Sequence, residues 1–164
     1  MRTAFDHATP SGNAMMLEVL ASLFYVTGDN SYRGRAETQI AAFAGEAVRN
    51  AIPIASLLSG IDFFLNGTQI VIRVGEGTDT LLRVVHDCCV PNRLLSVLAA
   101  GEECPEGHPA HGKKNIGNRE TAYVCVGNSC SLPFTDADAL RHALAWQPIR
   151  CSEVMKGTND GGCR

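Results

Sequence analysis

The stretch FDHATPSGNAMMLEVLASLFYVTG (Phe5–Gly28) decides how the rest of the chain is read. Between Ala14 and Val26 a single charge, Glu18, and the hydroxyl of Ser22 stand among apolar neighbours. Proline just inside a helix start lacks only an N–H that would go unbonded anyway, and a threonine before it suits the cap. Thr9-Pro10 therefore predicts a helix with Thr9 as its N-cap. Gly28 ends it, in the turn chemistry of Thr27–Ser31. A helix apolar on almost every side has to be enclosed by other elements.

Outward from this helix, Ser31 to Val48 reads as an amphipathic one. Tyr32, Ala36, Ile40, Phe43 and Ala47 share a face, while Arg33, Arg35, Glu37, Gln39 and Glu46 lie off it. A third helix is expected from Pro53, with Ile54, Leu57, Leu58, Ile61, Phe64 and Leu65 and only Asp62 charged. Buried, surface and buried helices joined by short turns predict antiparallel neighbours. The same alternation suits a ring of helical hairpins, which three helices cannot close. The chain is therefore expected to be part of something larger.

The pattern changes after Asn66-Gly67. TQIVIRV (Thr68–Val74) reads as a strand, Asp79–Cys88 as a short helix, and Thr121–Val126 as a second strand. Pro91–Ala99 fits strand or helix, because a short apolar run does not decide. Gly101–Asn118 reads as a loop. Thr135 is the expected cap of a last helix, Asp136–Trp146, and the Gly-rich end from Pro148 is read as a disordered tail. The expected fold class is α+β, mostly helical. Helical hairpins occupy 1–66, an α/β segment of the same domain 67–147, and the tail 148–164.

A chain of 164 residues is one domain or a piece of a larger one. Net charge −3 and the lack of a basic amphipathic helix argue against nucleic-acid and membrane partners. No apolar run is long enough to span a bilayer, and no apolar h-region follows the first residues. Seven scattered cysteines, an odd number, read as mostly reduced thiols, so a cytoplasmic setting is expected.

Thr9-Pro10-Ser11-Gly12-Asn13 has two readings. A helix N-terminus with a glycine, a hydroxyl and an amide suits an anion or sugar hydroxyls; it is equally a plain capped start. Asp6, Glu18 and Asp62 lie in or beside the apolar helices, where a carboxylate must be paired, hydrogen-bonded or protonated. Cys125 and Cys130 are not a C-x-x-C motif, and read as a turn with reduced thiols or as a local disulfide. With Cys104, His108 and His111 they match no strong zinc spacing, so neither metal nor cofactor is expected. His7, His86 and His142 have no catalytic partner at a telling spacing. GEGTD (Gly75–Asp79) lacks the third glycine of a dinucleotide fingerprint.

Four segments carry a resemblance: DHATPSGNAMM (Asp6–Met16), YRGRAE (Tyr32–Glu37), VPNRLL (Val90–Leu95) and AYVCVGNSCSLPFTD (Ala122–Asp136). In that order, from Ala4 to Leu144, they resemble the C-terminal end of the thioredoxin-domain-containing family that includes spermatogenesis-associated protein 20 and many bacterial members. His7 and Ala14 depart from its usual Gly and Ser. The resemblance implies a parent with an N-terminal thioredoxin-like domain, absent here, followed by an (α/α) toroid like that of six-hairpin glycosidases and N-acylglucosamine 2-epimerases. This chain would be a partial toroid followed by a small β-containing segment. Asp6, Thr9, Ser11, Gly12 and Asn13 would then sit at the rim of a pocket for a small sugar-like ligand. Cys125 and Cys130 would be redox candidates. Partners would be the rest of the parent protein or a thioredoxin-like domain, or a second copy by self-association. The isolated chain is expected to turn over no sugar. The alternatives are a thiol or interaction module, and an inactive truncated product.

Overall fold

The apolar run IVI in Thr68–Val74 forms the middle of a sheet. The computed structural model describes residues 4–49, 51–76, 79–127 and 129–145. In it, β1 (Thr68–Arg73) lies between β2 (Arg93–Leu98), parallel to it, and β3 (Thr121–Val126), antiparallel; β3 also pairs with the short β4 (Ser129–Cys130). A strand with neighbours on both edges and cover on both faces needs apolar residues at successive positions, and Ile70, Val71 and Ile72 are fully buried. The parallel β1–β2 pair needs a crossover, supplied by helix α4 (Thr80–Asp87). Pro91–Ala99, open between strand and helix, is thereby a strand. Asn92 turns the chain into it with φ of 57°.

One face of the sheet carries Ile70, Ile72, Ala122 and Val124 against Leu81, Val84 and Val85 of α4 and Leu140 and Leu144 of α5 (Ala137–Ala145). The other face places Val71 and Leu98 under the loop of residues 101–118, whose Ala110 is fully buried.

The N-terminal part is three helices: α1 (Gly12–Thr27), α2 (Asn30–Arg49) and, after a single 3-10 turn, α3 (Ala55–Asn66). Helix α1 packs on both others, while α2 and α3 barely meet. Helix α2 buries Ala36 and Phe43 and half-buries Tyr32 and Ile40, the face its spacing predicts; the side chain of Ala47 is outside the described residues. Tyr25 joins α1 to α3 by donating its hydroxyl to the carbonyls of Phe63 and Phe64, and its ring meets that of Phe63 edge-on. Leu94 of β2 packs on this cluster and ties the helices to the sheet.

A second tie is backbone against backbone. Gly28, the αL cap of α1, touches Gly107 of the long loop, and both have positive φ. A methyl at position 28 would sit 2.7 Å from the Gly107 Cα, and one at 107 would collide with the Thr27 carbonyl.

Two expectations need correction. Ser11, not Thr9, caps α1, because Asp6 seizes the Ser11 amide and holds Ser11 extended (φ −66°, ψ 147°). Asp136, not Thr135, caps α5, its carboxylate accepting the Ala139 amide at 2.8 Å. The apolar helices are not enclosed within the described residues, in line with the expectation that three helices cannot close a ring: α1 exposes a whole face, and Leu65 of α3 is 64% exposed. The segment 148–164, Trp146, Cys151 and Cys163 lie outside the described residues. Among the described residues the fold is α+β, with five α-helices and a four-stranded sheet.

Candidate functional site

Helix N-termini present unbonded amides, and in this chain carboxylates from elsewhere in the sequence fill them. Asp6 is the clearest case. One oxygen accepts the Ser11 amide at 2.9 Å, at the start of α1, and the other accepts the Ser56 amide at 2.8 Å, at the start of α3. The Ser56 and then the Ser11 amide hold this carboxyl below the usual carboxylate range, against a smaller opposing effect of burial. It is an anion bound by two helix starts, with the anion built into the chain. Glu120 does the same for α4, accepting the amides of Leu81 and Leu82 at 2.8 and 3.1 Å.

This geometry sorts the five pocket-rim candidates. Asp6 has both oxygens engaged, and Ser11 is buried with its hydroxyl accepting the Ala14 amide at 3.2 Å. Asn13 is half-buried and its carbonyl accepts from the Gln39 side chain. Thr9 and Gly12 are exposed, and nothing within 4 Å would obstruct a side chain at Gly12. Gly12 shares its helix face with Met16, Val19, Leu23 and Val26, at spacings of four, three, four and three. Met15 widens that stripe, and its five apolar members are each 37–49% exposed. So the start of α1 is less a polar niche than the upper end of an uncovered apolar strip.

Cys125 and Cys130 are bonded to each other across the β3–β4 hairpin. The local-disulfide reading of that segment is therefore the right one. Cys125 is buried and Cys130 is exposed, whereas Cys88, Cys89 and Cys104 are unbonded. Among the described residues no three His, Cys, Asp or Glu side chains converge as metal ligands. His111 shares a hydrogen bond with the Cys104 carbonyl, and His108 accepts from the Ala110 amide. In GEGTD, Gly77 and Thr78 lie outside the described residues. Gly75 is pressed against the backbone of residues 118–120, so the absent side chain there serves the chain's own close approach. No described helix is long and apolar enough to cross a membrane.

One site residue escapes the sequence reading. Arg73, at the end of β1, is the single charged residue buried among the described ones. The signal was weak: an arginine closing an apolar strand normally reads as the point where the strand meets water.

No protein-family model matches the chain. Spermatogenesis-associated protein 20 of Homo sapiens is 28% identical over 149 residues, which cover 85% of this chain and 19% of that protein. The proteins of the same name from Mus musculus and Rattus norvegicus are 25% and 24% identical, each again over 85% of this chain and 18% of their own length. The chain thus spans less than a fifth of the curated relatives it matches. Three curated proteins of one name, 24–28% identical over 85% of this chain, support its relation to the spermatogenesis-associated protein 20 family.

Proposed function

We propose that the chain is a docking module of a larger helical assembly, in which α1 is an inner helix and its uncovered stripe seats against a helix from the remainder of a longer polypeptide. One observation carries this reading: Met15, Met16, Val19, Leu23 and Val26 form an unbroken apolar face along the whole of α1. Covering five half-exposed side chains gains about 1 kcal/mol each, roughly 5 kcal/mol in all. Bringing together two separate molecules costs about 4–15 kcal/mol. The stripe is therefore too small to hold a free partner alone, and suits a neighbour tethered in the same polypeptide better than a second copy. A partial (α/α) toroid of the six-hairpin glycosidase kind is the architecture that supplies such a neighbour. In it Thr9, Gly12 and Asn13 stand at the mouth, where a sugar-like ligand would meet the module. Acid and base groups come from outside the chain, and the chain alone turns over no sugar.

A photo-reactive residue at Val19, introduced into the protein in its source cells, tests this. The expected cross-link joins α1 to a helical segment resembling the other four-fifths of spermatogenesis-associated protein 20. Cross-links confined to second copies of the chain would overturn it.

The bonded Cys125–Cys130 pair favours a second reading, a thiol module. Cytosolic disulfides are commonly transient. In the cytoplasm, a thioredoxin-like dithiol would reduce the bond by two electrons, leaving two thiols here and a disulfide on the partner. Alkylation trapping in intact cells checks this, and a pair found always in one state removes it.

A further inference from the structure

A guanidinium is charged at any pH a protein experiences, so burying one without a counter-charge is costly. Arg73 is 5% exposed. One Nη donates to the Glu102 carbonyl and the other to the Ala110 carbonyl at 3.4 Å, while Nε has no acceptor at all. The ion pairs among the described residues are Arg33–Glu37 and Arg141–Asp87, both remote from it in the fold. Lys113, half-buried, also has no carboxylate partner: its ammonium donates to the Pro109 carbonyl and lies 5.8 Å from the centre of the Tyr123 ring. Both cations meet carbonyls or an aromatic face, with no carboxylate in contact.

Both line one cleft of about 450 Å³, between the end of β1 and the loop of residues 101–115, together with Lys114, His111, Glu102 and Glu103. That volume suits a small metabolite. Of the two acids, Glu102 is already engaged, accepting the Ala99 amide at 2.9 Å. Burial first, and then the charge of Arg73, holds His108 below the usual histidine range, with Glu102 opposing; burial lowers Lys113.

We propose that this cleft binds a small molecule through an oxyanion group, a carboxylate or a phosphate, which supplies the counter-charge that Arg73 and Lys113 lack. The site is separate from the α1 stripe and stands whether or not α1 docks as proposed above.

Calorimetry and amide NMR on the full chain, at constant ionic strength in chloride, test it with inorganic phosphate and succinate as probes. Saturable binding of either, with shifts centred on residues 101–115, is expected. Phosphate alone would indicate a phosphorylated ligand, and succinate alone a carboxylate. Lys114→Gln, at an exposed position, should weaken binding about tenfold without unfolding the chain. Arg73→Lys should abolish it, and its NMR spectrum shows whether the fold survives. Failure of both probes to bind above the chloride background overturns the proposal, and so does binding that Lys114→Gln leaves unchanged.

Discussion

Helix α1 and strand β1 each carry an apolar run, and the surroundings of the two runs differ. Strand β1 has a helical layer on one face and a loop on the other, and its Ile70, Val71 and Ile72 are fully buried. Helix α1 is covered on two sides and bare on a third. The mismatch reverses for charge. The carboxylate beside α1 has a donor for each oxygen, whereas the guanidinium that ends β1 lacks a counter-ion. Apolarity alone therefore does not say where a chain is complete; the ledger has to be kept separately for surface and for charge.

The comparison breaks or sharpens under substitution. Ile72→Ala removes a fully buried side chain packed under α4 and α5, and should cost about 2–5 kcal/mol in urea unfolding. Gly107→Ala forces a methyl into α1's last carbonyl at positive φ, and should cost about 1–3 kcal/mol by the same measurement. Asp6→Asn should lower the thermal midpoint at neutral pH by less than either, with an effect that depends on pH. The Asp6 carboxyl is held below its ordinary 3.8 in the folded chain. Its stabilisation is present above that value and is lost as pH falls through the folded pKa. The variant and the parent should therefore converge in acid. His108, also held low, favours the neutral folded form; its contribution is full above 6.5 and declines as pH falls below. Val19→Ser should be the mildest, within about 0.5 kcal/mol for the isolated chain. A loss at Val19 comparable to that at Ile72 would mean that the stripe is covered within this chain after all.

The helices and strands were legible where local chemistry and periodicity agree. Tyr32, Ala36, Ile40 and Phe43 mark the buried face of α2, and IVI marks a strand covered on both sides. Legibility failed where a distant group overrode a local preference. Thr9-Pro10 is a good helix start by itself, yet Asp6 moves the cap to Ser11 by holding the Ser11 and Ser56 amides together. Nothing near Asp79 reveals that Glu120 caps α4. PNRLLSVLA becomes a strand only because β1 offers an edge. Of the five rim candidates that the resemblance implies, Asp6, Ser11 and Asn13 are already hydrogen-bonded within the chain. Arg73 is not legible in the sequence because burial of a charge at a strand end is set by a loop about thirty residues further on.

The Gly28–Gly107 contact carries one more consequence. Surface loops ordinarily absorb insertions, since their length is free to vary. The loop of residues 101–118 is pressed near its midpoint against the Thr27–Gly28 main chain, with no side chain to act as a spacer. Lengthening it near Gly107 would wedge the three-helix part off the sheet, and deletions there would pull the joint shut, so this loop should tolerate neither.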